Sequence, residues 1–482
     1  MLIMYQPAYF PVDLHGFGLI SPHNPDPSTS LGPLFCFADQ QLLICSLSQQ
    51  PKMVPRRIGL PGTPGKLTYS PHLRCLISSY TITEVEDSES PFTSTTRSYL
   101  EFVDPNSQRP VLHRSRAAMI NGAEVWRPSA DCGETITCIV DWVFEKESHV
   151  YHMIAIGTSV PALHEDNPTR GRFILLAVRP GQSDGAPIEC FTKHVQSVDG
   201  SVRAIAPCHD SLIVAAGKKL IPFSSRNAEM RWSRSAPFDL PSAAVAISVV
   251  HDRFVFVTTA RHSWICLEIF RGSRSSISDT DGAYLLTRSW DSTQRDGLHH
   301  FIRPGTDPVV FMSSRGGSIN VSKVEGQGTI SPIHMSPFRP EGQLSDSILR
   351  LVSQGTSEEA MYGFALNGTV YRLSLLSQKE LLLLQLLQNL CYKDNAICSS
   401  LPKRLRRQDP LSLDNCHIDG DILARLARLG PEKLVHMVVG LDSTRGSDSI
   451  ERCLREYAAD AIGSSSADAV VGWLRSRLHV EL

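Results

Sequence analysis

The sequence has no surplus of either charge: 47 lysines and arginines stand against 49 aspartates and glutamates, a formal net charge of -2. That balance excludes a global electrostatic pull toward DNA, RNA or an anionic membrane, so any nucleic-acid surface has to be local. Aromatic residues make up only 7%, with no array interleaved with basic residues on which bases could stack. No apolar run is long enough to span a bilayer. The opening segment MLIMYQPAYFPV has no basic n-region and is interrupted by Pro7 and Pro11, so it reads as neither a secretory signal nor a membrane anchor. The N-x-S/T matches at Asn320 and Asn367 then carry no meaning for glycosylation.

Motifs that carry chemistry are also missing. The 12 cysteines are scattered, and Cys132/Cys138 and Cys391/Cys398 are too widely spaced for zinc-type CxxC pairs. They read as reduced, mostly buried thiols of the cytosol or nucleus. No G-x-S-x-G, H-E-x-x-H or zinc-deaminase pattern occurs. In GLPGTPGKL, Gly59 to Leu67, five residues separate Gly59 from Gly65 and Leu67 stands where a phosphate-binding loop needs Ser or Thr. That segment reads as a tight turn before a strand. The His299-His300 pair alternates faces on a strand and reads as surface histidine.

What is present is length, apolar content and rhythm. The 482 residues, 42% of them apolar, suffice for two or three domains, or for one large repeat-built domain and a small one. From about Leu34 to Leu375, short runs of Val, Ile, Leu, Phe and Thr alternate with clusters of Gly, Pro, Ser, Asn and Asp. Strands are expected at Thr135 to Val143, His152 to Thr158, Arg172 to Val178, Ser211 to Ala216, Arg253 to Thr258, Ser263 to Ile269, Val309 to Ser313 and Ser318 to Val324. A hairpin is expected around Asn367-Gly368. Polar insertions at Ser21 to Pro33, Glu84 to Thr96 and Arg271 to Gly282 read as loops. A sandwich of this length leaves long exposed edges, whereas radial repetition of four-stranded blades protects them. The expected fold is therefore an all-β, seven-bladed, WD40-like propeller without WD signatures over residues 1–376, followed by a small all-α domain over 377–482.

The helical part opens near Gln378, where Leu381, Leu382, Leu384, Leu386, Leu387 and Leu390 form a stripe broad enough for burial on more than one side. A polar connector follows from Ser399 to Asn415. Its four cations, Lys403, Arg404, Arg406 and Arg407, are candidates for nuclear import or phosphate contact, and a solvated linker is the alternative. In HIDGDILARL, His417 to Leu426, Asp419 or Asp421 is expected to accept hydrogen bonds from the free N-H groups of a helix beginning around Ile422, with Gly420 permitting the turn into it. Gly430-Pro431 should stop that helix and start the next, and two more are expected at Asp448 to Ala461 and about Ala467 to Leu478.

Seven segments in order carry a family resemblance: LPGTPGKLTYSPHLRCLISS (Leu60 to Ser79), RSYLEFVDPNSQRPV (Arg97 to Val111), GETITCIVDWVF with HMIAIGTSV, GRFILLAVRP, VRAIAPCHDSLIVAAGKKLIPF (Val202 to Phe223), DRFVFVTTARHSWICLEI, and the leucine helix followed by HIDGDILARL. Together they resemble the third propeller and helical C-terminal domain of the family that contains the large subunits of the UV-damaged-DNA-binding complex and of the cleavage and polyadenylation specificity factor, with a related splicing-factor subunit. The resemblance implies a non-enzymatic scaffold in the nucleus, with protein partners in a multisubunit complex of DNA repair, chromatin or pre-mRNA 3'-end processing. It implies no cofactor, metal, membrane or small-molecule substrate, and leaves direct nucleic-acid binding as the alternative. Family members carry three propellers, and the second docks a cullin in the ubiquitin-ligase scaffold. This chain begins at about the third, so cullin docking is not expected, and a truncated member, half of a split gene or an incomplete gene model is.

Overall fold

A computed structural model describes residues 2–5, 14–19, 34–38, 41–45, 58–85, 94–111, 113–114, 118–120, 123–128, 133–146, 148–160, 169–179, 188–225, 232–271, 283–291, 294–303, 308–324, 330–337, 348–353, 360–365, 370–398, 411, 418–440, 447–478 and 480. The chain divides into two units, Pro7–Gly59 and a larger one of Met1–Gln6 with Leu60–Leu482. The smaller holds a three-stranded antiparallel sheet, Leu14–Leu19, Leu34–Ala38 and Gln41–Cys45.

The larger unit is a succession of antiparallel meanders, taken here in chain order as first to sixth sheet. They begin with Thr63–Ser70, Thr135–Lys146, Val202–Cys208, Ala244–Val250, Gly297–Arg303 and Ile348–Ser353. The first sheet continues through Cys75–Val85 and Ser94–Val103, and the second through His149–Ser159, Arg170–Arg179 and Ile188–Asp199. In the third follow Ser211–Ala216, Lys219–Ser225 and Trp232–Arg234. In the fourth follow Phe254–Thr259, Trp264–Arg271 and Ala283–Trp290, and in the fifth Val309–Ser314, Ser318–Val324 and Ile330–Pro337. The sixth adds Ala360–Ala365 and Val370–Leu375 and then takes the N-terminal strand Leu2–Tyr5 antiparallel to Val370–Leu375. Two-residue parallel strands extend two outer edges: His113–Arg114 beside Ile188–Asp199, and Ile418–Asp419 beside Leu2–Tyr5.

Apolar clusters sit between consecutive sheets. Phe102 and Ile77 of the first meet Ile154 and Ile174 of the second, and Phe173 of the second meets Leu212 and Phe223 of the third. Ile213 of the third meets Val255 and Leu267 of the fourth, Phe256 and Trp264 of the fourth meet Val310 and Met312 of the fifth, and Phe311 of the fifth meets Leu351 and Tyr371 of the sixth. A strand covered on both faces gains by being apolar at every position, so FVFVTT and SLIVAA read as continuous runs rather than alternations. Each fully buried side chain of this size contributes about 1.5–3 kcal/mol. First strands of successive sheets are neighbours throughout. Many small antiparallel sheets packed this way, with a small helical part, fit a β-rich, propeller-like fold.

One repeat is visible only in the pairing. Every first strand has a register step just after its start: Pro64/Leu67, Ile136/Cys138, Val202/Ala204, Ala244/Ala246, Gly297/His299 and Ile348/Arg350, with Leu14/Gly16 in the smaller unit. A bulge there increases local twist. Opposite it lie small residues, Gly157-Thr158, Ala215-Ala216, Thr258-Thr259 and Ser313-Ser314. At Gly157 an added Cβ would fall 2.5 Å from Cys138 Sγ and from Val202 Cγ1 and 2.8 Å from the Val202 carbonyl oxygen, so no side chain fits there unless its neighbours move.

Ser211–Ala216 and Ser318–Val324 coincide with expectation; the other expected strands are found, longer or shifted by a few residues at their ends. The expected loop from Glu84 to Thr96 is partly strand, since Cys75–Val85 and Ser94–Val103 pair as far as Val85 with Ser94. Within GLPGTPGKL, Thr63 to Leu67 already belongs to the first strand, and the Lys66 N-H donates to Ser79 Oγ at 2.7 Å. Asn367-Gly368, Ser21 to Pro33 and the residues Glu86, Asp87 and Glu89 lie outside the described residues.

Five described helices follow: α1 (Gln378–Lys393), α2 (Gly420–Leu429), α3 (Pro431–Val439), α4 (Ser447–Ile462) and α5 (Ala467–Leu478). A Ser377/Glu380 capping box starts α1, whose buried residues run from Leu383 to Tyr392 without a break. Burial all round the helix follows from packing against both α2 and α4. Gly430, at φ +89°, ends α2 and Pro431 opens α3.

Candidate functional site

The HIDGD junction resolves residue by residue. Ile418, fully buried, and Asp419 form the parallel strand on Leu2–Tyr5, so one dipeptide joins the helical part to the last sheet. Asp419 Oδ1 accepts from the N-H of Asp421 at 3.0 Å and of Ile422 at 3.3 Å, making Asp419 the N-cap. Its own N-H donates to Gln388 Oε1 at 2.6 Å, tying the strand to α1. Gly420 is the first helical residue and is buried, while Asp421 lies in the first turn, where its charge favours the positive end of the helix dipole. Of the two carboxylates expected to cap, Asp419 therefore does so. These two acids make helix-start geometry.

Other polar contacts of this region join side chains both to backbone groups and to one another. Arg425 donates to the Ile397 carbonyl at 3.0 Å and Arg475 to the Ala427 carbonyl at 2.9 Å. Lys433 reaches Asp394 at 2.6 Å. Burial disfavours the Asp394 charge, but Lys433 and the N-H groups of Ala396 and Ile397 outweigh it and hold the carboxyl below its usual range. Cys391 and Cys398 are buried, and desolvation pushes the Cys391 thiol well above its ordinary value.

In the sheets, polar side chains bridge from one sheet to the next. The Ile136 N-H donates to Ser98 Oγ at 3.2 Å, Thr137 donates to the Val202 carbonyl, and Trp142 Nε1 donates to the His209 carbonyl at 3.1 Å. His300 corrects the expectation of surface histidine. It is buried, with Nδ1 2.7 Å from Thr258 Oγ1 and Nε2 2.9 Å from Ser248 Oγ, joining the fifth sheet to the fourth. Desolvation, aided by neighbouring His299, brings its pKa down to about 3. His299 Nδ1 accepts from the Leu351 N-H at 3.2 Å, joining the fifth sheet to the sixth. Asn320, one of the two glycosylation matches, is also buried and accepts from Arg295 at 2.8 Å.

Two carboxylates went unnoticed in the sequence. Glu134 is bound by Arg172 Nε at 2.8 Å and by the Thr158 hydroxyl at 2.6 Å. Glu268 is 2% exposed and bound by both Arg253 and Arg288. The available signal is a lone acid inside an apolar run, as in WICLEIF: such a residue must find cations or leave the core.

Exposed apolar side chains mark the surfaces. Val435 and Val439 rise from α3 beside an open groove whose walls include Pro431, Glu432, His436 and Asp468, and the outer strand of the fourth sheet exposes Leu286 and Trp290. The cations Lys403, Arg404, Arg406 and Arg407 lie outside the described residues, as does Cys132. Among the described residues no group of three or more His, Cys, Asp or Glu side chains is placed to hold a metal, and no helix is long and apolar enough to cross a membrane. Neither known family models nor curated proteins match the chain.

Proposed function

We propose that this chain is a non-enzymatic scaffold whose sheets form a seven-bladed β-propeller, with the helical part as its C-terminal domain, acting in a nuclear multisubunit complex of DNA repair, chromatin or pre-mRNA 3'-end processing. The observation that carries the reading is the packing order: successive meanders, each meeting the next through its first strand and an apolar layer, with the N-terminal strand completing the last sheet. Pairing an early strand with the last meander is a way for a radial array to protect its edges. Among the described residues the larger unit supplies six such meanders beside a two-stranded pair, Ala118–Ile120 with Ala123–Val125. The seven ordered segments that resemble the propeller family support the same choice. A rigid array of this kind presents loops and strand edges to partners, and such surfaces act by binding.

Affinity purification of the tagged full chain from nuclear extract, with mass spectrometry of what co-purifies, tests this. Recovery in a defined assembly is expected; a free monomer would overturn the reading. A gel shift with RNA or single-stranded DNA that weakens steeply with salt would favour direct nucleic-acid binding instead. Nuclear accumulation of a fluorescent fusion should fall when Lys403, Arg404, Arg406 and Arg407 are all changed to Gln, and unaltered accumulation would remove the import role of that run.

A further inference from the structure

The outer part of the fourth sheet holds one acid and two cations in an unusual ratio. Glu268 is buried, yet its Oε1 accepts from Arg253 Nε at 2.6 Å and its Oε2 from Arg288 Nε. The guanidinium side chains are 58% and 49% exposed. Two guanidiniums bring about ten N-H donors to a carboxylate with about four lone-pair positions, so donors remain in excess and one positive charge is uncompensated within the trio. Burial opposes the Glu268 charge, but the hydrogen bonds and charges of Arg288 and Arg253 prevail and keep it ionised. The two arginines are thereby held in place at the surface, at little further entropic cost to a ligand.

Their neighbours narrow the ligand. Phe254 and Leu286 both pair with Glu268 across the ladder and so share its face of the sheet. Arg288 is the additional residue at the register step between Cys266 and Leu267, and a bulge re-aims the side chain it carries. Leu286 is 48% exposed. The Phe254 ring is covered by Arg253 at 5.1 Å, and Trp290, paired with Ile265, projects from the opposite face. The patch thus has cations and an aliphatic anchor, while its described aromatic rings are already engaged, Phe254 by Arg253 and Tyr284 by the Phe270 ring stacked on it at 5.4 Å beside Leu286.

We propose that Leu286, flanked by Arg253 and Arg288 over Glu268, is a docking surface for an acidic, partly apolar segment of a partner protein. Carboxylates of the segment take the spare guanidinium donors, and an apolar residue covers Leu286. The proposal rests on the scaffold reading and specifies one of its surfaces.

Selection of a random peptide library displayed on phage against the full chain, followed by fluorescence anisotropy with the selected peptides, tests it. Enrichment of Asp and Glu beside apolar residues is expected, with binding about tenfold weaker to Arg288→Gln and to Leu286→Ser, and weaker as salt rises. Arg288→Gln leaves Arg253 on the carboxylate, and Leu286→Ser leaves the whole trio intact, so retained melting behaviour in either variant keeps the comparison valid. Selected peptides without acidic enrichment, equal binding by folded variants, or tighter binding of an oligo-dT strand at these same residues would overturn the proposal. Partners recovered from nuclear extract alongside peptides indifferent to both variants would remove this surface and leave the scaffold; acidic peptides sensitive to both variants without any recovered assembly would do the reverse.

Discussion

The stacked sheets and the helical part solve the same problem differently. Between sheets, side chains reach sideways: Ser98, Thr137, Trp142, His300 and His299 each connect one sheet to its neighbour. In the helical part, Asp419, Gln388, Arg425 and Arg475 satisfy backbone groups at helix ends and connections. A strand's interior N-H and C=O groups are mostly taken by the ladder, so links between sheets fall where a register step leaves a backbone group open to a neighbouring side chain, as at Ile136 and Val202. A helix leaves its terminal groups unpaired, and these become the places where other elements attach.

The largest test of that contrast removes apolar packing from the helical side. Leu387→Ala should cost about 2–5 kcal/mol, because Leu387 is fully buried between helices, and urea denaturation would measure it. A loss below about 1 kcal/mol would mean that this core is looser than its burial implies. On the sheet side, Gly157→Ala should cost about 1–3 kcal/mol through overpacking against Cys138 and Val202. An unchanged urea midpoint would show that the second and third sheets can separate slightly without penalty.

His300→Gln sharpens the comparison through pH. His300 is neutral when folded, with a pKa near 3, whereas unfolded histidine binds a proton below about 6.5. The unfolded state therefore binds more protons between those values. The contribution is fully present above about 6.5 and is lost as pH falls toward 3. Wild-type stability should decline across that window more steeply than that of His300→Gln, and parallel pH profiles from thermal melts would contradict the buried neutral imidazole. The smallest expected effect belongs to the helix start: Asp419→Ala with Asp421→Ala should cost about 1–2 kcal/mol, most of it from Asp419, whose carboxylate makes the cap. Equal losses from the two single variants would overturn that division.

Much of the architecture was legible in the sequence, for reasons visible in individual residues. SLIVAA and SINVSKV are bounded by turn residues and rich in branched side chains, so their strands were found to the residue. Gly430-Pro431 and the Ala467 helix were equally plain, since a left-handed stop and a proline start are local events. The histidine pair was misread because alternation on a strand says which face a residue takes, and does not say that a second sheet covers that face. The recurring bulge left no signature because small residues opposite it, Gly157-Thr158 or Ser313-Ser314, look like ordinary strand ends until the strands are paired.

The sequence by itself determined the local menu: short apolar strands with turn punctuation, a leucine helix too apolar to stand alone, and an Asp-Gly-Asp start for the helix after it. Periodicity, caps and breakers act within a few residues, so they can be read there. Only the tertiary structure decided that Ile418–Asp419 is a strand on the N-terminal segment, that His300 is neutral between two sheets, and that Glu268 holds two arginines. Each of these depends on groups brought together by packing, whose burial and partners are set by what lies opposite in space.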